Sequence, residues 1–92
     1  MRFEWDEQKA ALNLAKHGVP FEYATRVFID PHRLDREDAR HDYHEERRLT
    51  VGSIERRVYV VAYTMRGEIT RLISARKANR REQRKYDEAL RA

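Results

Sequence analysis

Residues suited to phosphate chemistry recur at helical spacing near the start of the chain. Lys9, Asn13, Lys16 and His17 follow one another at intervals of four, three and one positions. At about 3.6 residues per turn these positions share one face of a helix, so two ammonium groups, an amide and an imidazole would lie along one edge. The pattern indicates a phosphate-handling surface. Its simplest rival is a solvated helix face.

Positive charge is concentrated in the last quarter of the chain. From Arg71 onward there are eight Lys or Arg against three acids, a net charge of +5, whereas residues 1–70 carry twelve against thirteen. Such an asymmetry suits an RNA or DNA backbone or a strongly acidic protein partner. The alternative is a Lys/Arg-rich surface helix that serves solubility. The cations assigned to nucleic-acid binding are Lys9, Lys16, Lys77, Arg80, Arg81 and Arg84. Lys85 is expected to join the last three in binding phosphates or an acidic antitoxin surface.

The chain also contains every kind of group that metal-free RNA cleavage requires. A base must take the proton of the 2′-hydroxyl, an acid must protonate the leaving 5′-oxygen, and cations must hold the charge that grows on phosphorus. His17 can act as acid or base near neutral pH, and Glu46 is a competing base. Arg47 and Arg76 can supply fixed positive charge bidentately. Together these four residues form the predicted catalytic set.

Each candidate residue has a plainer structural interpretation. Trp5 is the only tryptophan of the chain and belongs more naturally in the core than against a base. Asn13 is expected to hydrogen-bond to backbone within the fold. The ring of Tyr63 can stack on a base or simply pack in the sheet. His17 precedes Gly18 at the expected helix end, where the helix dipole alone favours a cation.

Composition excludes several classes of protein. With 92 residues and no cysteine, the chain is expected to form a single domain over residues 1–92, without disulfides or a thiolate metal site. Apolar stretches are too short for a membrane span, and acids near the amino terminus do not fit a signal peptide, so we expect a soluble cytoplasmic protein. A Gly-rich phosphate loop is missing, which argues against nucleotide hydrolysis. We expect no cofactor.

A charged stretch over residues 35–48 shows little periodicity and is expected to be a loop flanked by short extended pieces. It contains His41, Asp42, His44, Glu45 and Glu46, which are residue types that bind metals. Two histidines three positions apart in a loop, without cysteine, are a weak ligand pattern. A solvated charge run is the preferred interpretation, and no metal site is predicted.

Helix signals occur at both ends of the chain. Asp6 is suited to cap a first helix to about Lys16, which Gly18 would end. Apolar residues at helical spacing predict a second helix over residues 21–28. Asn79 and Glu82 resemble a capping box for a last helix that ends near Leu90. Because this last helix has few apolar residues, loose docking is expected.

Between these helices the periodicity changes to that of strands. Residues 49–54, 58–65 and 69–75 are rich in β-branched and aromatic side chains, and the pairs Glu55-Arg56 and Arg66-Gly67 are typical of hairpin turns. The second strand is apolar on both faces, so it should be central. Residues 3–5 are a candidate edge strand. The sequence therefore predicts an α+β fold: two helices, an antiparallel three-strand meander with short edge strands, and a final helix.

Several sequence blocks resemble the BrnT family of type II toxins over nearly the whole chain. The two most specific blocks lie in the amino-terminal segment and at the end of the third predicted strand. The matching residues are Phe3-Glu4-Trp5-Asp6, Lys9, Asn13, Lys16-His17-Gly18-Val19, Glu46-Arg47, Gly52, Tyr63-Thr64, Ile73-Ser74-Ala75-Arg76-Lys77-Ala78, Glu82 and Tyr86. The sequence departs from the family in the charged loop, at residues 40–44.

This resemblance implies a RelE-like ribonuclease fold and RNA cleavage that halts translation. It also implies neutralisation by a BrnA-like antitoxin with a ribbon-helix-helix DNA-binding domain, so that DNA would be contacted only through the antitoxin. A homodimer or a toxin-antitoxin heterotetramer is compatible with it. The alternative function is non-enzymatic: a basic module that binds nucleic acid or a protein partner.

Overall fold

A five-stranded sheet of order β1-β5-β4-β3-β2 forms the centre of the computed structural model, which describes residues 1–38 and 45–92. Helices pack on both of its faces, so the α+β class is confirmed. The strands are β1 (Arg2–Glu4), β2 (Leu34–Glu37), β3 (Arg48–Ile54), β4 (Arg57–Arg66) and β5 (Ile69–Lys77). The helices are α1 (Glu7–His17), α2 (Phe21–Ala24), a 3₁₀ helix (Thr25–Ile29) and α3 (Arg80–Arg91).

The sheet is mixed, which corrects the expectation of a purely antiparallel one. The meander β3-β4-β5 is antiparallel as predicted, and β2 adds antiparallel to β3. However, β1 pairs parallel to β5, with Arg2 opposite Ile69 and Glu4 opposite Arg71. No hairpin joins these two strands, since they stand far apart in the chain, so a turn does not set their relative direction.

The hairpin turns follow the predicted pattern with one shift. At the first turn, Glu55 and Arg56 have φ values of 49° and 72°, the left-handed geometry that a two-residue hairpin requires. The second turn lies at Gly67 and Glu68, one residue later than predicted, because β4 continues through Arg66 opposite Ile69. Part of the stretch predicted as a loop is strand, since β2 takes in residues 35–37 and β3 begins at Arg48. Residues 39–44 of that stretch lie outside the described residues.

The second helix is shorter than predicted. Regular α-helix ends at Ala24, and the chain continues as a 3₁₀ helix to Ile29. The 3₁₀ segment has a β-branched residue at every second position, which disfavours regular α-helix. At its start, the Thr25 hydroxyl donates to the Glu22 carbonyl at 2.7 Å. Gly52 of β3 makes the close packing possible, since a Cβ there would lie 2.9 Å from Val27 Cγ1.

Helices cover the two faces of the sheet unequally. We call the face under α1, α2 and the 3₁₀ helix the α1 side; it holds the main core, with Phe21, Val27, Val61 and Leu72 buried. Trp5 packs edge-on against Phe21 with ring centroids 6.0 Å apart, which confirms its assignment to the core. None of the described helices is long and apolar enough to cross a bilayer.

The opposite face, here the α3 side, has a smaller apolar cluster. It contains Leu49, Val60 and Ala62 with Val51 and Ile73 packed against them. Burial of β4 on both faces from Val58 to Thr64 confirms its predicted central position. Since α3 covers only part of this face, the α3 side has room for a surface groove.

Asn13 fastens α1 to the sheet. Its amide nitrogen donates to the carbonyl oxygens of Val19 and Ala75, at 3.1 and 2.8 Å, and its Oδ1 accepts from the Ala75 N–H at 3.0 Å. The side chain is buried, so the expectation that Asn13 bonds to backbone is confirmed. It therefore points into the fold, away from the exposed Lys9 and Lys16.

Polar contacts hold the start and the middle of α3. At its start, the Asn79 side chain accepts from the Glu82 N–H and the Glu82 carboxylate accepts from the Asn79 N–H, which confirms the predicted capping box. Near its middle, the buried Tyr86 hydroxyl donates to Asp30, which also accepts from the Ser53 N–H at 2.8 Å. Leu90 remains half exposed. Docking of α3 thus depends on a few polar bonds more than on an apolar stripe.

The Tyr86–Asp30 bond should make stability fall at alkaline pH. Burial and the Asp30 carboxylate raise the pKa of Tyr86 from 10.0 to about 12. The folded state therefore holds a proton that the unfolded chain loses, so this contribution is complete below about pH 10 and is lost as pH rises toward 12. Tyr86→Phe should lower the free energy of unfolding by about 2 kcal/mol at neutral pH.

Urea denaturation of both proteins from neutral to alkaline pH measures the effect. The wild-type advantage over Tyr86→Phe should shrink as pH rises through the window of tyrosine ionisation. As a control, Asp30→Asn removes the acceptor charge and should bring the tyrosinate titration of Tyr86 back toward its ordinary range. A difference between wild type and Tyr86→Phe that stays constant with pH would contradict the assignment.

Candidate active site

The junction of β5 and α3 holds an arginine and a glutamate in a two-pronged ion pair. Arg76 donates from Nη1 and Nη2 to the two carboxylate oxygens of Glu82, at 2.7 and 2.8 Å. Arg76 Nη1 also donates to the Lys77 carbonyl at 3.3 Å. Because bidentate pairs fix orientation as well as distance, the guanidinium plane is set by Glu82.

The environment of Glu82 favours its charged form. The Arg76 hydrogen bonds lower the pKa of Glu82, partial burial opposes this, and the Asn79 N–H and the charge of Arg36 lower it further. Arg36, on β2, lines a groove together with Glu82. Three elements, β2, β5 and α3, therefore bring charged groups to one place.

Beside this pair a groove of about 420 Å³ runs between α3 and the β2–β3 edge of the sheet. Its apolar floor consists of Leu34, Leu49 and Val51, while the charged and polar lining, in full, is Asp35, Arg36, Asn79, Arg81, Glu82 and Lys85. We call this feature the basic groove. Arg36, Arg81 and Lys85 make no salt bridge with any carboxylate in residues 1–38 and 45–92. Within the described residues, therefore, no ion pair neutralises these three cations of the groove.

Strand register places Arg76 and Arg47 on the same side of the sheet. Arg76 is opposite Val60, which is opposite Val51, so its side chain belongs to the α3 side. Arg47 directly precedes β3, and its carbonyl accepts from the Asp38 N–H at 2.7 Å, which continues the β2–β3 ladder. By strand alternation Arg47 follows the row of Leu49 and Val51. Measured along the strand direction, Arg47 and Arg76 are about four residues, or roughly 13 Å, apart, and β4 lies between their strands.

The remaining predicted catalytic residues do not join this face. His17 ends α1, which packs on the α1 side, where Ala10 contacts the main core. The Glu46 carboxylate is largely exposed and accepts from Arg48 Nη1 at 3.2 Å. The structure therefore does not bring His17 or Glu46 into the basic groove with Arg76.

Tyr63 does not offer a ring face to a base. Its side chain lies on the α1 side with 6% of the residue exposed, and its ring meets Phe28 edge-on with centroids 5.0 Å apart. The hydroxyl donates to Asp35, which also accepts from Arg48 at 2.5 Å. Burial and the Asp35 carboxylate raise the pKa of Tyr63. Of the two interpretations left open, packing in the sheet describes this residue.

The cations of α3 divide between two sides of the helix. Arg81 and Lys85, four residues apart, face the basic groove, whereas Arg80 and Arg84 line a shallow depression on the outer surface with Arg91. Lys77 is exposed and opposite Tyr59, which places it on the α1 side. Lys9 and Lys16 are exposed on α1. The predicted RNA-binding cations therefore do not form one surface.

Sequence reasoning missed Arg36 as a site residue and gave Glu82 only a capping role. Arg36 falls in the stretch that was expected to be a loop, and only as part of β2 does it alternate onto the α3 side beside Leu34. Lys85, one of the cations expected on the last helix, stands one turn after Arg81 and lines the groove with it. The Arg76–Glu82 contact depends on how the chain bends between β5 and α3, which no local pattern specifies.

No group of three or more His, Asp or Glu side chains within the described ranges is arranged to hold a metal ion. The candidates His41, Asp42 and His44 lie outside those ranges. What the groove offers is fixed positive charge beside an apolar floor. Chemically, that combination can hold a phosphodiester and stabilise additional negative charge on it.

Comparison with known protein families agrees with this chemistry. Residues 5–82, from the end of β1 to the glutamate that pairs with Arg76, match the model of a family described as "Ribonuclease toxin, BrnT, of type II toxin-antitoxin system". None of the curated proteins matches the chain. Since the family match spans most of the 92 residues, the chain belongs to the BrnT family of ribonuclease toxins of type II toxin-antitoxin systems.

Proposed function

We propose that the basic groove is the RNA-cleavage site and that Arg76 is its central catalytic residue. One observation carries the proposal: cations of β2 and α3 line a groove with an apolar floor, and Arg76 of β5 bonds to Glu82 in the lining of that groove. A phosphate backbone needs the cations, and a base or ribose needs an apolar surface. Neither the outer surface of α3 nor the α1 stripe combines the two.

Single-stranded RNA is the proposed substrate class. Arg36, Arg81 and Lys85 hold backbone phosphates, while the floor of Leu34, Leu49 and Val51 accepts a splayed base. A base pair hides the faces and edges that such a floor contacts. Arg47 lies farther along the same side of the sheet and is proposed to hold a neighbouring phosphate.

The proposed reaction is attack of a ribose 2′-oxygen on the adjacent phosphorus. The bond from the 2′-oxygen to phosphorus forms, the bond from phosphorus to the 5′-oxygen breaks, and the products are a 2′,3′-cyclic phosphate and a 5′-hydroxyl. The proton of the 2′-hydroxyl passes to water, and water protonates the leaving oxygen. Arg76 and its neighbouring cations stabilise the phosphorane, whose charge exceeds that of the ground state.

Metal independence is part of the proposal, because the guanidinium groups supply the positive charge that this transition state requires. His17 remains a predicted acid or base, and Glu46 a predicted base. The proposed site does not include them, since neither lies in the basic groove.

The biological role follows from the family. Type II systems pair a toxin with a protein antitoxin, so this chain has RNA as its substrate and an antitoxin as its partner. We further propose that RNA cleavage inhibits translation and that the antitoxin is BrnA-like, with a ribbon-helix-helix domain that alone contacts DNA. A toxin homodimer or a toxin-antitoxin heterotetramer is the proposed assembly.

Cleavage should persist when metals are removed. Purified protein is expected to cut single-stranded RNA in excess EDTA, and the 5′ fragments should end in 2′,3′-cyclic or 3′-phosphate because the attacking oxygen is intramolecular. An RNA with 2′-O-methyl groups should bind and stay intact. End-group analysis by mass spectrometry measures both features.

Two results would refute this mechanism. Activity that is lost with EDTA and restored by a divalent ion, with 3′-hydroxyl ends, would indicate a metal-activated water instead. Tight RNA binding without cleavage at any pH from about 6 to 9, where an imidazole titrates, would support the non-enzymatic alternative.

A pair of double variants tests which surface handles RNA. Arg81→Ala with Lys85→Ala removes two cations from the basic groove, whereas Arg80→Ala with Arg84→Ala removes two from the outer side of the same helix. The groove variant should lose about 10-fold or more in kcat/KM, and the outer variant less than about 3-fold, since only groove cations contact the bound strand.

Both variants change net charge equally, so a general loss of electrostatic attraction predicts equal effects. Single-turnover rates with a fluorescent single-stranded RNA provide the comparison, and circular dichroism checks that α3 is intact. Equal losses in the two variants would show that the basic groove is not the surface that binds the RNA substrate.

A further inference from the structure

We propose that Glu82 is a positioning residue, which holds the Arg76 guanidinium in the orientation that the transition state requires. The inference rests on the proposed function and adds a role for a carboxylate that faces an anionic substrate. A negative charge in an RNA-binding groove weakens binding, so its presence there needs an explanation beyond charge.

The geometry of the pair supports orientation as that role. Both carboxylate oxygens of Glu82 bond to Arg76, at 2.7 and 2.8 Å, and the glutamate side chain is 18% exposed against 34% for the arginine. The carboxylate is therefore the less exposed partner, and its two bonds fix the plane of the guanidinium. An arginine has five N–H donors in a rigid fork, of which this pair engages two.

The carboxylate is itself held in place by α3. Its Oε1 accepts from the Asn79 N–H at 2.8 Å, while the Glu82 N–H donates to Asn79 Oδ1 at 2.9 Å. Glu82 is thus the third residue of the helix and the partner of a strand arginine at once. Any movement of the start of α3 would move Arg76, so helix position and guanidinium orientation are coupled.

A role for Glu82 as general base fits the structure less well. Arg76, Asn79 and the nearby Arg36 keep the pKa of Glu82 below its usual range, against the effect of partial burial. A carboxylate whose proton affinity is lowered in this way is a weak base near neutral pH.

The positioning role has a distinct kinetic signature. Removing the charge of Glu82 removes repulsion toward RNA, so KM should stay the same or fall. At the same time Arg76 loses its fixed orientation, so kcat should fall. A purely structural role would instead loosen α3, raise KM and lower kcat in step with thermal stability.

The experiment compares Glu82→Gln with Asp6→Ala in EDTA. Glutamine keeps the capping box of α3 and loses the charged fork, whereas Asp6→Ala removes the cap acceptor of α1, on the other side of the sheet, and leaves the groove unchanged. Glu82→Gln should lower kcat at least about 10-fold without raising KM. Asp6→Ala should lower the melting temperature yet keep kcat within about 3-fold of wild type. Arg76→Ala should lower kcat by about 100-fold, the scale for one lost charge-stabilising donor.

Coupling to Arg76 completes the test. If Glu82 acts only through Arg76, then Arg76→Ala with Glu82→Gln should be no slower than Arg76→Ala alone. A wild-type kcat in Glu82→Gln, a raised KM, or a further loss in the Arg76→Ala background would overturn the positioning role and leave the ribonuclease site intact. Wild-type protein that fails to cleave, or a full rate in Arg76→Ala, would overturn the proposed function and this inference with it.

Discussion

The position of α3 depends on two carboxylates, one at the first turn of the helix and one near its middle. Glu82 joins the first turn to Arg76 of β5 and to Asn79, and Asp30 accepts from the hydroxyl of Tyr86 in the second turn. Few apolar contacts reinforce these bonds, since Tyr86 is the only buried residue of the helix. The basic groove lies between α3 and the sheet, so its shape depends on these bonds. Because α3 has few apolar side chains to bury, hydrogen bonds to the carboxylates of Glu82 and Asp30 hold it on the sheet.

The sheet divides the polar residues of the molecule by task. On the α1 side, Asn13 and Tyr63 satisfy backbone and carboxylate groups, and both are buried. On the α3 side, cations border an apolar floor that is only partly covered. Polar side chains thus stabilise the fold on one side of the sheet and, in our proposal, bind RNA on the other.

Much of the fold was predictable because its signals are local. The Asp6 cap, the Asn79–Glu82 capping box and the alternation of the central strand each act within a few residues, and each was predicted correctly. The parallel pairing of β1 depends on a distant strand. The 3₁₀ helix that follows α2 packs on Gly52 of a distant strand. Local patterns do not contain such long-range information.

The same distinction applies to the candidate site. Arg76 and Arg81 stood out because they are basic residues in a basic segment; Arg81 lines the groove, and Arg76 bonds to its lining residue Glu82. His17 attracted attention through its side-chain chemistry, yet helix packing carries it to the other side of the sheet. Arg36 escaped notice because its side depends on the strand register of β2. Residue type predicted which groups are available, while sheet topology decided which of them meet.

Amide chemical-shift mapping by NMR shows directly whether single-stranded RNA binds in the basic groove. A short single-stranded RNA carrying 2′-O-methyl groups, which block attack by the 2′-oxygen, is titrated into isotope-labelled protein. If RNA binds in the basic groove, the largest shifts should fall on β2, on Leu49 and Val51 of β3, and on the first two turns of α3. Shifts confined to α1, around Lys9, Lys16 and His17, would contradict it.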